Sequence, residues 1–490
     1  MSPWGKVASS VAIQYFGRTL GLLVSLASTA ILTRTLGVAL YGEYTTALAI
    51  AALVVTFADL GFFWSTIKSL NVEGDAKTIA SEISGIRFVV ASILTALMLL
   101  IVWQTSYPLE VKQAVSVLGI FTVSGAMNNV LIAVFQQSYA MVTPTVAEAA
   151  SRIVNLGLIM LGYLLGKDLI WFISAVSIAS VTGLLINWAV LSWRNGVIWP
   201  KIIGFSWKKY YRSVAVIGAV MLFNALYLKV DVIVLSALKS SVDVGIYGAA
   251  QRVIEVAMVF QSLFLAAAFP LFLARFREGS AQFSRTVTES LMVVLAFGLP
   301  VALVLALFSG GLINFIAGRE FLETTTLVIN GTAITAATVL AVLSAYVLLA
   351  HVGGVIALAL LTSDHLRWLF WVNVGAFLVN IGMNLVLIPH YSYLAAAAMT
   401  VVTELIIVAA NFYYLWSRHR PAISGSTVGR LLGSATLAGL VALFLPSQAH
   451  VLVKVVVTVA LYGTAVFLTV PALRALVVRV FQPPTEESQG

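Results

Sequence analysis

Long apolar runs recur along the whole chain, and they restrict its possible folds more than any other feature. One of them reads "LGLLVSLASTAIL" (20–32), and hydrophobic residues make up 61% of the sequence. Runs of about 20 apolar residues suit helices that cross the ~30 Å hydrocarbon layer of a bilayer. The runs are continuous, whereas the strands of a membrane β-barrel would alternate. Only 10% of the residues are charged, against about 25% in soluble domains. The sequence therefore predicts an all-α, multi-pass membrane protein.

These runs predict fourteen membrane-spanning helices. The predicted spans are 9–32, 43–66, 84–104, 113–136, 144–165, 169–192, 213–237, 246–273, 287–309, 324–350, 367–389, 392–416, 428–446 and 450–472. After the tenth span the apolar run continues, and Gly353-Gly354 is expected to break or bend it there.

The Lys and Arg residues are distributed unequally between the two sides of these spans. With the N-terminus inside, 18 of the 28 basic residues fall in inside segments or at the adjoining ends of spans, and 6 fall on the outside by the same count. Cytoplasmic loops carry such an excess, so both termini are predicted to be cytoplasmic. The net charge of +9 is then explained by topology and by contact with anionic lipids, and no nucleic-acid partner is expected.

Two pairs of segments point to an internal repeat. Gly42-Glu43-Tyr44 and Gly245-Ile246-Tyr247 are each expected to form a short turn between two spans, and "RIVNLG" (152–157) is echoed by "FLVNIG" (377–382). Six spans separate the copies, so both copies keep the same orientation. The expected organisation is a six-helix lobe at 1–200, a second six-helix lobe at 201–420, and two further helices with a short cytoplasmic tail at 421–490.

The usual signs of an enzyme are missing from the sequence. There is no cysteine, which excludes thiol chemistry and disulfides. Neither the G-x-x-x-x-G-K-[ST] phosphate loop nor the H-E-x-x-H zinc motif occurs, and no soluble segment is long enough for a catalytic domain. No catalytic residue, metal or cofactor is predicted, and a secondary transporter fits better than an enzyme.

Ionisable residues within the spans are the main candidates for function, because a charge at the centre of a membrane helix costs ~2.5–3.5 kcal/mol on insertion scales. Arg18, facing a cavity, would bind an anion with its five donors, and Lys229 would be its counterpart in the second lobe. Glu148 and Arg152, four residues apart, more readily form an ion pair within their helix than bind substrate. Asn residues in the spans are expected to hydrogen-bond between helices, or alternatively to contact sugars or an ion. The remaining charged positions are Asp59, Asp231, Arg252, Glu255 and Glu404.

Three motifs carry a family resemblance. They are "R-T-L-G-x-x-x-Y-G-E-Y" with "A-D-L-G" (34–44 and 58–61), "K-V-D-V-I-V-L" with "V-G-I-Y-G-A-A-Q-R" (229–235 and 244–252), and "N-I-G-M-N-L-V-L-I-P-H-Y-S-Y-L-A-A-A-A-M-T-V-V-T-E" (380–404). Together they resemble the polysaccharide and O-antigen flippases of the multidrug/oligosaccharidyl-lipid/polysaccharide (MOP) exporter superfamily. Ser392 and Ala395 stand where the family usually has Gly.

The resemblance implies a MATE-like fold of two six-helix lobes around a central cavity, placed in a bacterial-type inner membrane. It implies that a polyprenyl-diphosphate-linked oligosaccharide passes from the cytoplasmic to the outer leaflet by alternating access, coupled to a Na⁺ or H⁺ gradient. A polysaccharide polymerase and glycosyltransferases would be functional partners. The candidate residues for substrate in the cavity are Arg18, Lys229, Arg252, Asn155 and Asn380. The candidates for ion coupling or gating are Asp59, Asp231, Glu148 and Glu404.

Two other functions stay open at the level of sequence. A multidrug/cation antiporter of the same superfamily would have a cavity rich in carboxylates, whereas the central charges here are at least as basic as acidic. A membrane-embedded glycan polymerase or ligase would need a large outer loop and an acid/base pair within it, and the sequence shows neither. The flippase is therefore the preferred hypothesis.

Overall fold

The computed structural model describes residues 3–59, 61–73, 76–138, 140–202, 215–422 and 424–471. Within these ranges the chain is almost entirely helical, with one small β-hairpin. The helices are α1 (Pro3–Asp59), α2 (Phe62–Glu73), α3 (Ala76–Gln104), α4 (Leu109–Gln137), α5 (Val142–Leu164), α6 (Leu169–Asn195), α7 (Ala215–Leu238), α8 (Ser241–Ala257), α9 (Val259–Glu278), α10 (Ser280–Leu307), α11 (Ser309–Ile316), α12 (Glu320–Glu323), α13 (Ala336–Thr362), α14 (Leu366–His419), α15 (Gly425–Leu443) and α16 (Val451–Thr469). The strands are β1 (Leu327–Ile329) and β2 (Thr332–Ile334).

The prediction of fourteen spans in an all-α membrane protein is confirmed. Eleven described helices are long and apolar enough to cross a membrane. Two of them contain a break in the backbone: α1 at Gly37 (φ 67°, ψ −179°) and α14 at Ser392 (φ 44°, ψ −133°). Each break separates two spans, which makes thirteen, and α7 occupies the position of the predicted seventh span. Gly adopts such a backbone at little cost.

The tenth predicted span, 324–350, is wrong at both ends. Its first part forms the hairpin of β1 and β2, which turns at Asn330 (φ 49°) and Gly331 (φ 77°). An Asn-Gly pair with two positive φ values is the preferred turn of a two-residue hairpin, and this signal in "LVINGTAI" outweighs the apolar composition. The membrane helix therefore begins at 336 and ends at 362.

Gly353 and Gly354 lie inside α13 without interrupting it, so the predicted break is also wrong. A methyl group at Gly353 would lie 2.9 Å from a carboxylate oxygen of Glu404, and one at Gly354 would overlap the side chain of Gln261. The two glycines serve packing instead: they admit polar side chains from neighbouring helices against the backbone of α13.

The prediction that the two Gly-x-Tyr segments form turns is wrong, because both lie inside helices. Gly42 lies in α1 four residues after Val38, where the helix resumes beyond its break, and Gly245 lies four residues after Ser241, where α8 begins. A methyl group at Gly42 would overlap the carbonyl of Ser241, and one at Gly245 would overlap the carbonyl of Val38. The repeated segments thus pack against each other through their glycines.

The chain forms two compact units. The first comprises Met1–Ala249, Ile316–Thr335 and Asn373–Ala396, and in it α4 packs against α1, α2, α3 and α6, while α5 packs against α1 and α6. One apolar cluster in this unit joins α2, α3, α4 and α6 through residues such as Phe62, Ile83, Val134 and Leu191. The contacts of α5 with α1 and α6 place α5 beside α1, where several candidate residues lie.

The second unit comprises Ala250–Phe315, Ala336–Val372 and Ala397–Gly490. In it α10 packs against α9, α13, α15 and α16. The apolar cluster of Leu299, Leu431 and Tyr462 holds the last two helices, α15 and α16, against α10. These two helices are therefore part of the fold of this unit.

Candidate substrate and ion sites

Asp231 is the most buried of the candidate carboxylates. It lies in the apolar run of α7 and is 2% exposed. Its Oδ1 accepts a hydrogen bond from Asn384 Nδ2 at 2.6 Å, and its Oδ2 accepts one from the hydroxyl of Tyr247 at 3.4 Å. Both donors are neutral groups, and burial of a carboxylate in a membrane helix marks it as functional by default.

Asn380 and Asn384 complete an oxygen-rich cluster around this carboxylate. They lie four residues apart on one face of α14, and Asn384 Nδ2 also donates to Asn380 Oδ1 at 2.9 Å. Both residues are fully buried, and Asn384 Oδ1 has no hydrogen-bond partner among the described residues. Carboxylate and amide oxygens are the ligands that hard cations prefer. The cluster is chemically able to take up a proton or a small cation.

Glu148 and Arg152 form the ion pair that their spacing on α5 predicts. The guanidinium donates to Glu148 Oε1 from Nη2 at 2.7 Å and from Nε at 3.1 Å. Its Nη1 donates to the carbonyl of Gly21 on α1 at 3.2 Å. A methyl group at Gly21 would lie 2.8 Å from Arg152 Nε, so the close approach of α5 and α1 in this arrangement depends on glycine at position 21.

The pair faces away from the lipid, as the periodicity of α5 shows. Large apolar residues are strongly exposed along one stripe of this helix: Val146 (56%), Ile153 (59%) and Leu164 (71%). At 100° per residue, Glu148 and Arg152 lie about 200–240° around the helix from Val146. Their side chains are nevertheless 51% and 38% exposed. An exposed ion pair opposite an apolar stripe is typical of a helix that borders a polar interior rather than lipid.

Asn155 lies on the same polar face, about 180° from Val146. It is half-buried. The structure thus brings the candidates Glu148 and Asn155 to one face of α5, together with Arg152. Asparagine in this setting has both a donor and an acceptor available.

Arg18 is placed only by its backbone, because its side chain lies outside the described residues. It belongs to α1, one helical turn before Gly21. Positions three apart share a face of a helix. The guanidinium of Arg152 therefore touches the face of α1 that carries Arg18.

Asp59 has a different environment from the other candidates. It is the last residue of α1, and its Oδ1 lies 2.5 Å from Nη1 of Arg87 on α3. The Arg87 side chain is completely buried, and its Nε and Nη2 have no hydrogen-bond partner among the described residues. Its apolar setting, "IRFVVAS" (86–92), is the signal in the sequence that indicates this burial.

The remaining candidates are Lys229, Arg252 and Glu404. Lys229 is half-buried on α7, two residues before Asp231. In the second unit, Arg252 pairs with Glu255 at 2.6 Å, and Glu404 is 7% exposed with its carboxylate against Gly353. No group of three or more His, Cys, Asp or Glu able to hold a metal occurs in the described part of the chain.

A cavity of about 530 Å³ lies among the loops of the first unit, and none of the candidate residues lines it. Its walls include Tyr107, Ser236 and Lys239. Burial raises the pKa of the Tyr107 phenol, and a 2.9 Å hydrogen bond with the Ser236 hydroxyl acts in the opposite direction. The phenol is therefore neutral at physiological pH and links the α3–α4 loop to α7.

Similarity to solved structures is extensive although sequence identity is low. The lipid II flippase MurJ, in an inward closed conformation, superimposes with a TM-score of 0.72 at 14% identity over 96% of this chain and 100% of that chain. A multidrug resistance MATE family transporter of the MOP superfamily, in an inward-facing conformation, gives a TM-score of 0.64 at 14% identity over 84% of this chain and 98% of that chain. Comparison with curated protein sequences gives no match. The chain has the MOP fold of these transporters.

A family model for "Polysaccharide biosynthesis protein" matches residues 4–276. The match covers more than half of the chain and includes α1 to α8, with the motifs around Arg34 and Asp231. It agrees with the family that the motifs resemble. This multi-pass membrane protein therefore belongs to the polysaccharide biosynthesis protein family and has the fold of the MOP superfamily.

Proposed function

We propose that this protein is a flippase that moves a polyprenyl-diphosphate-linked oligosaccharide from the cytoplasmic to the outer leaflet by alternating access. Membership of the polysaccharide biosynthesis family is the observation that carries this proposal. The shared fold with a lipid II flippase, whose substrate is also a lipid, supports it. Both termini are cytoplasmic in this proposal, as the basic residues predict, and the protein acts beside the enzymes that build and polymerise the glycan.

The cluster of Asp231, Asn380 and Asn384 is the proposed site of the coupling cation, Na⁺ or H⁺. Its carboxylate is buried and lies beside amide oxygens, which together are the ligands that hard cations prefer. Occupation of the site would then shift the populations of conformations that differ in their affinity for the cation.

The test is translocation by the purified protein in liposomes. Vesicles would contain a fluorescent polyprenyl-diphosphate-linked oligosaccharide, and a lectin outside the vesicles would report the glycan that reaches the outer leaflet. We expect the protein to increase the lectin-accessible fraction when a Na⁺ or pH gradient is imposed, and vesicles without protein to show no change.

Two results would count against the proposal. The first is an unchanged lectin-accessible fraction with either gradient. The second is cation-driven efflux of a dye such as ethidium from the same vesicles without movement of the lipid, which would indicate an antiporter for drugs. Sugar transfer by the purified protein would instead indicate a glycan polymerase or ligase.

A further inference from the structure

We propose that Arg152 is a ligand of the substrate diphosphate and that Glu148 occupies its guanidinium until the substrate arrives. This inference rests on the proposed flippase function and adds to it a specific anion site in the first unit. The site consists of the Arg152 guanidinium, the backbone of Gly21 and the amide of Asn155. Its ligand class is a phosphate or diphosphate ester.

The position of Arg152 satisfies what such a site requires. The guanidinium lies on the face of α5 opposite the exposed apolar stripe, and its side chain is 38% exposed. The guanidinium is thus open to a ligand on the side away from the apolar stripe. Asn155, one turn further along the same face, has an amide that could donate to a phosphate oxygen.

The orientation of the guanidinium is fixed before any ligand binds. Its Nη1 donates to the carbonyl of Gly21, while Nε and Nη2 both donate to Glu148 Oε1. Nε and Nη2 form the edge that binds carboxylates and phosphates in a bidentate manner. The α1 contact thus holds the group in place while leaving that edge to the anion.

Glu148 is well suited to be displaced. Its side chain is 51% exposed, and ion pairs of this type on a helix surface are weak. A diphosphate carries more charge than a carboxylate and matches the guanidinium fork equally well. Exchange of one anion for the other keeps the arginine neutralised at every stage, which limits the cost of a charge in a membrane protein.

The exchange also provides a route for release. While the diphosphate is bound, the freed Glu148 carboxylate stays one helical turn away and repels it. The carboxylate returns to Arg152 when the substrate leaves. Glu148 therefore lowers the affinity for substrate, which distinguishes this role from that of a purely structural ion pair.

The experiment measures binding of farnesyl diphosphate to the full-length protein in detergent micelles by isothermal titration calorimetry. We expect Arg152→Gln to weaken binding by about tenfold, because it removes charged hydrogen bonds. Glu148→Gln should instead tighten binding by roughly twofold to threefold, because it removes a competing anion. Arg152→Lys should fall between wild type and Arg152→Gln, because Lys keeps the charge but loses the fork.

The matched control is the Arg285–Glu289 pair on α10, which has the same i,i+4 spacing and a distance of 2.8 Å. Arg285→Gln and Glu289→Gln should leave binding unchanged, and unfolding profiles of all variants would show that each is folded. Weaker or unchanged binding by Glu148→Gln, or wild-type binding by Arg152→Gln, would overturn the inference. Failure of the wild type to prefer farnesyl diphosphate over farnesol would instead contradict the proposed function itself.

Discussion

Asp231 and Glu148 are both carboxylates on membrane helices of the first unit, yet their surroundings are opposite. Asp231 is 2% exposed and receives hydrogen bonds from a neutral amide and a neutral phenol. Glu148 is 51% exposed and carries its own cation, Arg152, one turn away. In the proposals above, Asp231 takes up a positive charge, whereas Arg152 exchanges the Glu148 carboxylate for another anion. The burial and the partners of each carboxylate, more than the residue type, distinguish the two proposed roles.

The largest effect is expected at Asp231. Asp231→Asn keeps the shape of the side chain and removes the negative charge, so the variant should lose transport driven by a Na⁺ or pH gradient. Wild-type protein should gain thermal stability as the coupling cation is added, because a ligand that binds only the folded state stabilises it. The variant should show no such gain in a melting experiment. A full response to the cation in Asp231→Asn would place the coupling site elsewhere.

The next largest effect is expected at Asn384. Asn384→Leu removes the amide that donates to Asp231 at 2.6 Å and leaves a buried carboxylate with one fewer donor. The free energy of unfolding should fall by about 1.5–3 kcal/mol, the range for hydrogen bonds to charged groups. Titration with SDS in mixed micelles would measure it. The double variant with Asp231→Asn should lose less than the sum of the two single changes, since both act on one contact.

A smaller effect is expected at Gly21. Gly21→Ala places a methyl group 2.8 Å from Arg152 Nε, so the guanidinium must shift away from α1. The flexible arginine can move, and the expected loss of unfolding free energy is at most about 1 kcal/mol, at the lower end for overpacking. Diphosphate binding should nevertheless weaken, because the guanidinium loses its fixed orientation. Unchanged binding in this variant would show that the contact with α1 does not orient Arg152.

The smallest effect on stability is expected at Glu148. Glu148→Gln breaks an exposed i,i+4 pair, which is worth about 0.3–0.5 kcal/mol. The same SDS titration should therefore barely distinguish it from wild type, in contrast to Asn384→Leu. If the free energy of unfolding instead fell by several kcal/mol, Glu148 would behave like a buried charge. Its pair with Arg152 would then be a structural contact, and the difference from Asp231 proposed here would be wrong.

Features that depend on short stretches of sequence were predictable. The apolar runs gave the number of spans, and the four-residue spacing of Glu148 and Arg152 gave their ion pair, because both follow from the geometry of one helix. The hairpin at Asn330-Gly331 had a local signal that the apolar composition of "TTTLVI" concealed. Local patterns thus account for most of the helices and for one part of the candidate site.

Contacts between distant parts of the chain were not predictable in the same way. Asp231 and Asn384 are 153 residues apart, and nothing in either motif states that an amide of α14 reaches a carboxylate of α7. The packing role of Gly353-Gly354 also depends on which side chains of other helices meet α13. Burial of Arg87 requires the positions of three neighbouring helices. Each of these depends on tertiary packing, which hydropathy does not encode.

The close contact between Gly42 and Gly245 restricts which residues can replace them during evolution. Each glycine touches the backbone of the opposite copy, at Ser241 and Val38 respectively. A single larger residue at either position would push the same two helices apart. Once one of the two positions carries a larger residue, a larger residue at the other position costs little more, because the two helices are already separated. The two positions should therefore change together during evolution.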